Sequence, residues 1–243
     1  MGLPRRDLLL FGGRPAFDPR SVAGCVLWLR ADALALAGGA GVAAWADQSG
    51  QGNSAAQATG LNQPTFQVAQ INGLPALSFD GTHSFMTGAI GSLTADHSRT
   101  GFAVLQAGGT NVYGTAFNVG TSAGNSAWGF GLNNDGKYVE FQWGGDLEGT
   151  AYTTAVQLVS ALKSADNLSI YVDGALNAGP TAEAAANVTG TAYAIGQLVD
   201  GATIAFTGLL AELLVYNAAL TSADRHAVEA YLAAKYGLAV VQQ

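Results

Sequence analysis

Charged residues are scarce in this sequence. Lysine, arginine, aspartate and glutamate make up 11% of the 243 residues, whereas hydrophobic residues make up 49%. An average soluble domain contains about 25% charged residues. The chain can therefore form a large core, and part of its surface must consist of uncharged residues. Such a surface suits an assembled particle or a sugar-binding face better than a free cytosolic enzyme.

Cysteine occurs once, at Cys25, which excludes an intrachain disulfide and a zinc site built from several cysteines. Its apolar neighbours in Val22–Trp28 predict a buried small side chain rather than a nucleophile. No apolar run reaches the length of a membrane-spanning helix. Arg5-Arg6 precedes leucines as in a twin-arginine export signal, but the apolar stretch ends at Phe11. A secretory signal is longer, so the sequence predicts none.

Glutamate occurs only five times, which limits the possible glycosidase sites. A retaining glycosidase needs two carboxylates about 5 Å apart. On a strand these would be two residues apart, and Asp146-Leu147-Glu148 is the only acid pair with this spacing. Its glycine neighbours predict a loop, so we expect no catalysis there. Glu212 lies in an apolar strand, where a hydrogen-bonded structural role is expected.

Positive charge is concentrated in residues 1–20, which form a predicted N-terminal arm. Four arginines against two aspartates give this arm +2, and because the whole chain is −7, residues 21–243 carry −9. A basic arm on an acidic body predicts docking on another protein, and the lack of a further basic patch disfavours nucleic acid. The alternative is that the arm folds back as an edge strand. The residues expected to dock are Arg5, Arg6, Leu8, Leu9, Leu10, Phe11 and Arg14.

Short strands separated by turn sequences dominate residues 21–216. The clearest hairpin has the turn Asn133–Gly136 between two alternating segments. Without alternating helices, such strands predict a β-sandwich in a single domain, residues 21–243. Strands are predicted at Cys25–Ala31, Phe66–Val68, Pro75–Phe79, Phe85–Met86, Gly101–Gln106, Tyr113–Val119, Trp128–Leu132, Tyr138–Trp143, Tyr152–Leu162, Leu168–Val172, Tyr193–Gly196 and Leu209–Tyr216.

A helix is predicted only at the end of the chain. Leu209–Tyr216 is apolar on both alternating faces, as in a strand covered on both sides. Thr221 with Asp224 three residues later is a helix-start signal, and Gly237 is a stop. The predicted apolar stripe of this helix is Val228, Tyr231 and Leu232.

Three segments of the second half resemble laminin-G-type, concanavalin A-like jelly rolls. They are Val159–Leu176, which contains a Y-x-D-G pattern, the Ala194-Ile195-Gly196 strand, and the closing strand Gly208–Tyr216. Val26–Asp32, Trp45–Asn53 and Pro75–Gly81 resemble the opening half of bacterial and phage members. The resemblance covers residues 22–238 and implies a concanavalin A-like jelly-roll β-sandwich with one C-terminal closing α-helix. This fold hosts lectins, glycosidases, adhesins and virion parts, so it does not fix the function.

Two sets of residues are candidates for ligand binding. Aromatic faces near polar loops bind sugars, and Trp128, Tyr138, Trp143 and Tyr152 are the candidates, whereas Trp28 and Trp45 are assigned to the core. Calcium prefers oxygen ligands, and Asp47, Ser49 and Asn53 could supply part of a site together with Asp80. The competing interpretation of Asp47–Asn53 is a turn stabilised by its own side chains. No other cofactor is predicted.

Together these features predict a non-catalytic structural or binding module. An extracytoplasmic type of fold without a signal peptide suggests a phage virion surface protein, such as a capsid decoration or fibre protein. It would assemble in the host cytoplasm, attach to other virion proteins through the arm and be exposed after lysis. A glycan-binding role and a homo-oligomer are compatible with this; nucleic acid and membrane are not expected partners. The alternatives are a bacterial extracellular lectin, or a glycoside hydrolase or lyase.

Overall fold

Alternation of apolar residues builds strands along nearly the whole chain. The computed structural model describes residues 17–110, 112–183, 186–201 and 205–242. In chain order the strands are β1 (Cys25–Arg30), β2 (Ala44–Trp45), β3 (Ala55–Ala56), β4 (Thr65–Ile71), β5 (Leu74–Asp80), β6 (Met86–Ala89), β7 (Arg99–Ala107), β8 (Gly114–Gly120), β9 (Ala127–Leu132), β10 (Lys137–Phe141), β11 (Leu147–Ala151), β12 (Val156–Ser164), β13 (Asn167–Val172), β14 (Ala175–Ala182), β15 (Ala192–Ile195) and β16 (Thr207–Tyr216). One α-helix, α1 (Ser222–Tyr236), follows β16.

The strands form two antiparallel sheets that pack face to face. The first sheet has the order β14-β13-β12-β7-β16-β5-β4, and β1 also pairs with β16. The second has the order β11-β10-β9-β8-β15-β6-β3-β2. This confirms the predicted all-β sandwich with a C-terminal helix. Among the described residues, no helix combines the length and apolarity needed to cross a bilayer.

The main core lies between the two sheets. Trp45, Trp128 and Phe117 are completely buried there, and Leu213 of β16 packs on the same cluster. The assignment of Trp45 to the core is confirmed. A second core lies on the other face of the first sheet, where α1 buries Val228 and Leu232. The first sheet is therefore covered on both faces, as the apolar sequence of β16 predicts.

The closing helix begins and ends where the sequence predicts. The Thr221 hydroxyl accepts a hydrogen bond from the Asp224 backbone N–H at 3.1 Å. Gly237 has a φ of 67°, the left-handed conformation that ends a helix at little cost for glycine. Of the predicted stripe, Val228 and Leu232 are fully buried and Tyr231 is half-buried. Arg225 and Glu229, which polarity alone would place outside, are also buried and ion-paired at 2.8 Å.

A β-bulge in β16 explains why an acid lies beneath the helix. The register with β7 shifts between Leu210 and Glu212, so both Ala211 and Glu212 lie on the helix side. Strict alternation predicts opposite faces for these two residues, and that prediction is wrong because of the bulge. Glu212 is completely buried, and its carboxylate accepts four hydrogen bonds from partners in β1 and α1. Its predicted hydrogen-bonded structural role is confirmed.

Residues 17–20, which the sequence places in the arm, pack on the domain. Tyr216 donates a hydrogen bond from its hydroxyl to the Pro19 carbonyl at 3.0 Å, and the rings of Phe17 and Tyr231 lie 6.0 Å apart. Residues 1–16 contain all seven residues expected to dock and lie outside the described residues. Residues 17–20 therefore pack as part of the domain.

Cys25 is buried in the second core, as predicted. Burial is the main cause that raises the pKa of its thiol to about 12, and Asp47 adds to the shift. Such a thiol is almost entirely protonated at neutral pH, so Cys25 acts as a small apolar residue.

Candidate functional site

A pocket opens on the outer face of the second sheet, where β10 presents alternate residues. Tyr138 and Glu140 point into the core, whereas Val139 and Phe141 point outward and pack with Leu198. The pocket has a volume of about 210 Å³. Its lining residues are Tyr113, Thr115, Asn133, Asn134, Val139, Phe141, Trp143, Asp146, Glu148 and Leu198.

Trp143 is held over this apolar patch by the turn that follows β10. Its φ of 62° is unusual for a residue other than glycine and reverses the chain toward Gly144 and Gly145. The rings of Trp143 and Phe141 meet edge to face, with centroids 6.3 Å apart. The tryptophan is half-buried, so part of its ring lines the pocket. Two glycines after Trp143 allow the chain to turn back into β11.

The two acids of the Asp146-Leu147-Glu148 pair line the pocket from the same strand end. The prediction of a loop is wrong for Leu147 and Glu148, because β11 pairs with β10 and places Glu148 opposite Val139. Glu148 accepts hydrogen bonds from Asn133 Nδ2 at 2.8 Å and from Lys137 Nζ at 2.7 Å. Asp146 uses Oδ1 to accept the Gln142 backbone N–H at 2.9 Å. From the described residues, its Oδ2 accepts no hydrogen bond.

Tyr113 and Asn134 complete the rim on the side of β8 and the β9–β10 turn. Both are exposed. The Tyr113 side chain is still partly covered by the protein, and this partial burial, followed by the nearby Asp146 charge, raises the pKa of its hydroxyl. Asn133 is held by its own turn, since its Oδ1 accepts the backbone N–H groups of Asp135 and Lys137. The pocket thus joins aromatic surfaces, a free carboxylate oxygen and an exposed amide, which together can bind a polar ring with an apolar face.

Of the four aromatic candidates, the pocket contains only Trp143. Trp128 is completely buried and donates its indole N–H to Glu140 Oε1 at 2.8 Å. Tyr138 is buried with its hydroxyl bonded to Gln157, and buried Tyr152 donates to the Val112 carbonyl at 2.9 Å. A ligand-binding role is therefore wrong for Trp128, Tyr138 and Tyr152, because their rings pack in the core. Tyr113 was missed, since one aromatic before a strand resembles ordinary packing.

The calcium candidates form two separate turns rather than one site. Asp47 accepts hydrogen bonds from the backbone N–H groups of Trp28, Ser49 and Asn53 and from the Ser49 hydroxyl. Asp80 accepts three backbone N–H groups from its own turn, at Thr82, His83 and Ser84. With their oxygens used by these donors, the residues fit the competing interpretation of stabilised turns. The described residues contain no group of three or more His, Cys, Asp or Glu side chains that could hold a metal ion.

The carboxyl group whose pKa is raised most lies in the core rather than in the pocket. Glu140 is completely buried, and burial raises the pKa of its carboxyl to about 8. The hydrogen bond from Trp128 and the charges of Lys163 and Arg99 oppose this shift. Because no ligand can reach this group through the sheet, we assign it to core structure.

The sequence matches a family model, which shows how this sandwich is related to known proteins. The model described as the concanavalin A-like lectin/glucanases superfamily matches residues 92–224, more than half of the chain. The chain belongs to this superfamily. The match includes the pocket strands β8–β11 and the closing strand β16 of the concanavalin A-like domain.

Solved structures with the same fold include enzymes and binding domains. A sialidase from Trypanosoma rangeli, in complex with 2,3-difluoro-KDN, has a TM-score of 0.61 at 15% identity. The alignment covers 88% of this chain and 33% of the sialidase chain. Domain 4 of AbnA, a GH43 extracellular arabinanase from Geobacillus stearothermophilus in complex with arabinotriose, has a TM-score of 0.57 at 14% identity. That alignment covers 85% of this chain and 97% of the domain.

A third similar structure is the binding domain of Paraclostridial Mosquitocidal Protein 1. Its TM-score is 0.55 at 12% identity, with 88% of this chain and 52% of that chain covered. No curated protein matches the sequence. The concanavalin A-like domain spans about a third of the sialidase chain, and these identities establish the fold alone.

Proposed function

We propose that this domain is a non-catalytic glycan-binding module. The observation that carries the proposal is the pocket on the outer face of the second sheet, where Trp143 and Tyr113 lie beside Asn134 and Asp146. A sugar has an apolar ring face and a rim of hydroxyl groups, so it can contact aromatic carbons and donate to carboxylate or amide oxygens at once. The complex of a similar domain, domain 4 of AbnA, with arabinotriose supports a sugar as the ligand class.

The acids of the pocket favour binding over hydrolysis. A glycosidase of the usual kind needs one carboxylic acid that stays protonated and a second carboxylate across the scissile bond. Glu148 is already engaged by Lys137 in an ion pair at 2.7 Å. The acid with a strongly raised pKa, Glu140, is sealed in the core. We therefore expect the pocket to bind a sugar without hydrolysing it.

A glycan array with the purified protein tests this proposal, followed by titration calorimetry on the best ligand. Trp143→Ala should weaken binding tenfold or more, corresponding to about 1.4 kcal/mol, because the aromatic face is lost. Leu61→Ala is the matched control, since Leu61 is 87% exposed and does not line the pocket. Binding that survives Trp143→Ala in a folded protein would contradict the proposed site.

Release of reducing ends from polysaccharides would favour the enzyme alternative. If Asp146→Asn or Glu148→Gln abolished such release while the melting temperature stayed unchanged, the pocket would be an active site and the non-catalytic proposal would be wrong. A bacterial extracellular lectin would show the same binding as the module proposed here. Its cellular location would separate the two.

We also propose that the chain attaches to a phage virion through its N-terminal arm. The supporting observation is an apolar groove on the outer side of α1, lined by Phe17, Ala227, Ala230, Tyr231, Ala234 and Lys235. A solvated helix face normally carries charges, whereas this one carries alanines. Phe17 lies in the groove at the point where the arm joins the domain, so a virion protein bound to the arm would also reach this face.

Deletion of residues 1–16 tests the attachment. Phe17 and Pro19 are retained because they pack on the domain. We expect an unchanged melting temperature and loss of incorporation into particles. Normal incorporation of the shortened protein, or its unfolding, would contradict the proposal.

A further inference from the structure

The balance of charge in the pocket is negative. Lys137 and Glu148 form an ion pair at 2.7 Å and neutralise each other. Asp146 is exposed, and its Oδ1 is bonded only to a neutral backbone N–H. The described lining residues include no lysine, arginine or histidine. One uncompensated carboxylate thus faces the space where a ligand would lie.

The aromatic rings that line the pocket also favour a positively charged ligand. Trp143 and Tyr113 both line the pocket with Asp146, and aromatic faces attract cations through their negative quadrupole. Tyr113 lies near enough to Asp146 for the carboxylate to disfavour ionisation of its hydroxyl. A cation between these groups would meet two kinds of favourable contact.

A sugar acid would find no positively charged partner among the described lining residues of the pocket. Proteins bind carboxylates through arginine pairs or other positive donors, and the described lining residues provide none. Lys137 is already committed to Glu148, so recruiting it would leave that acid without its ion-pair partner. A carboxylate ligand would therefore be repelled by Asp146 without compensation.

We infer that the pocket selects amino sugars, whose ammonium group binds Asp146 Oδ2, and rejects sugar acids. The inference rests on the proposed glycan-binding function and adds the chemical class of the ligand. Neutral sugars use the same aromatic contacts and bind more weakly, since they lack the ion pair with Asp146.

Calorimetry with three oligosaccharides of equal length tests the selection: glucosamine oligomers, N-acetylglucosamine oligomers and galacturonate oligomers. The pH is mildly acidic, so that the amine is protonated. Because the pair is partly exposed, we expect the amine to bind about threefold to tenfold more tightly than the acetylated sugar. The galacturonate should not bind. Raising the salt concentration should reduce the preference for the amine, since salt screens exposed charges.

Two variants with the same change of charge complete the test. Asp146→Asn should remove the preference, so that the glucosamine and N-acetylglucosamine oligomers bind the variant with equal affinity. Asp166→Asn, in the exposed β12–β13 turn of the other sheet, should keep the preference. Equal affinities in the unmodified protein, tighter binding of galacturonate, or a preference that survives Asp146→Asn would overturn the inference.

The possible failures are distinguishable. If acetylated oligomers bind through Trp143 without any preference for the amine, the charge inference is wrong and the glycan-binding function stands. If no oligosaccharide of the three classes or of the array binds, the proposed function and the inference fall together.

Discussion

Glu212→Gln would remove the negative charge that joins β16 to the closing helix while keeping the shape of the side chain. In the folded protein, Oε1 accepts from Trp28 Nε1 at 2.6 Å and from the Tyr231 hydroxyl at 3.0 Å. Oε2 accepts from Lys235 Nζ at 2.6 Å and from the Tyr236 hydroxyl at 2.8 Å. A carboxylate can accept at both oxygens, whereas an amide has one oxygen and one donor group.

Either orientation of the amide leaves a conflict. Its NH2 group would face the Lys235 ammonium or the Trp28 indole N–H, both of which only donate. One buried hydrogen bond is then lost, at a cost of about 1–3 kcal/mol. Breaking a buried ion pair costs about 3–5 kcal/mol when the remaining charge is left alone. Lys235 would still have its ion pair with Asp32 Oδ1 at 2.9 Å. The loss of stability should therefore be smaller than for a buried charge left without any partner.

We therefore expect the free energy of unfolding to fall by about 2–4 kcal/mol, and the melting temperature by about 5–15 °C. Urea unfolding would show this as a lower midpoint with an unchanged slope. Glu148→Gln is the matched control, because its ion pair with Lys137 is about 40% exposed on both sides and should contribute no more than about 1 kcal/mol. A loss below about 0.5 kcal/mol for Glu212→Gln would refute the reasoning.

Three further predictions concern other parts of the domain. Burial raises the pKa of Glu140 from 4.5 to about 8, so the folded state holds its proton longer than the unfolded state. Its contribution to stability is present below pH 4.5 and lost as the pH rises toward 8, and Glu140→Gln should flatten this loss in unfolding curves measured across that range. Truncation after Leu220 exposes the surface that Val228 and Leu232 bury, about 1.5–3 kcal/mol for each side chain, so an aggregating product is expected; a soluble truncate with the full melting temperature would contradict this. Cys25 should react with a thiol reagent only after unfolding, and rapid labelling of the native protein would show that the thiol is accessible.

The sequence predicts the strands best where they are long and apolar. Trp128–Leu132 and Leu168–Val172 agree with β9 and β13 to within a residue. The two-residue strands β2 and β3 were missed because they are too short to show a period. So was β14, whose mixed residues Ala175–Ala182 lie at a sheet edge, where none of them is buried. Few side chains of such an edge strand pack in the core, so the strand shows little apolar pattern.

The candidate site was harder to predict because its residues come from separate strands. Trp143 was found as an aromatic beside polar loops, but the same signal also selected Trp128 and Tyr138, which are buried. In β10, only the two-residue period distinguishes the inward Tyr138 from the outward Val139. To decide which set of alternate residues points inward, one must know which face of the sheet is covered. The sequence of a single strand does not give this information.

The covering of the two sheets decides where a ligand can bind. On the first sheet, α1 packs over Phe102 and Leu214, and Glu212 holds the helix in place. On the second sheet, the outer residues Val139 and Phe141 form a small hydrophobic cluster with Leu198 and Trp143. Stability and binding should therefore depend on opposite faces of the sandwich. A change at Glu212 should lower the melting temperature and leave glycan affinity unaltered at temperatures where the protein is folded, whereas removal of the Trp143 ring should do the reverse. If both changes altered both properties, the faces would be coupled through the inter-sheet core, and the pocket could not be treated as a site independent of the fold's stability.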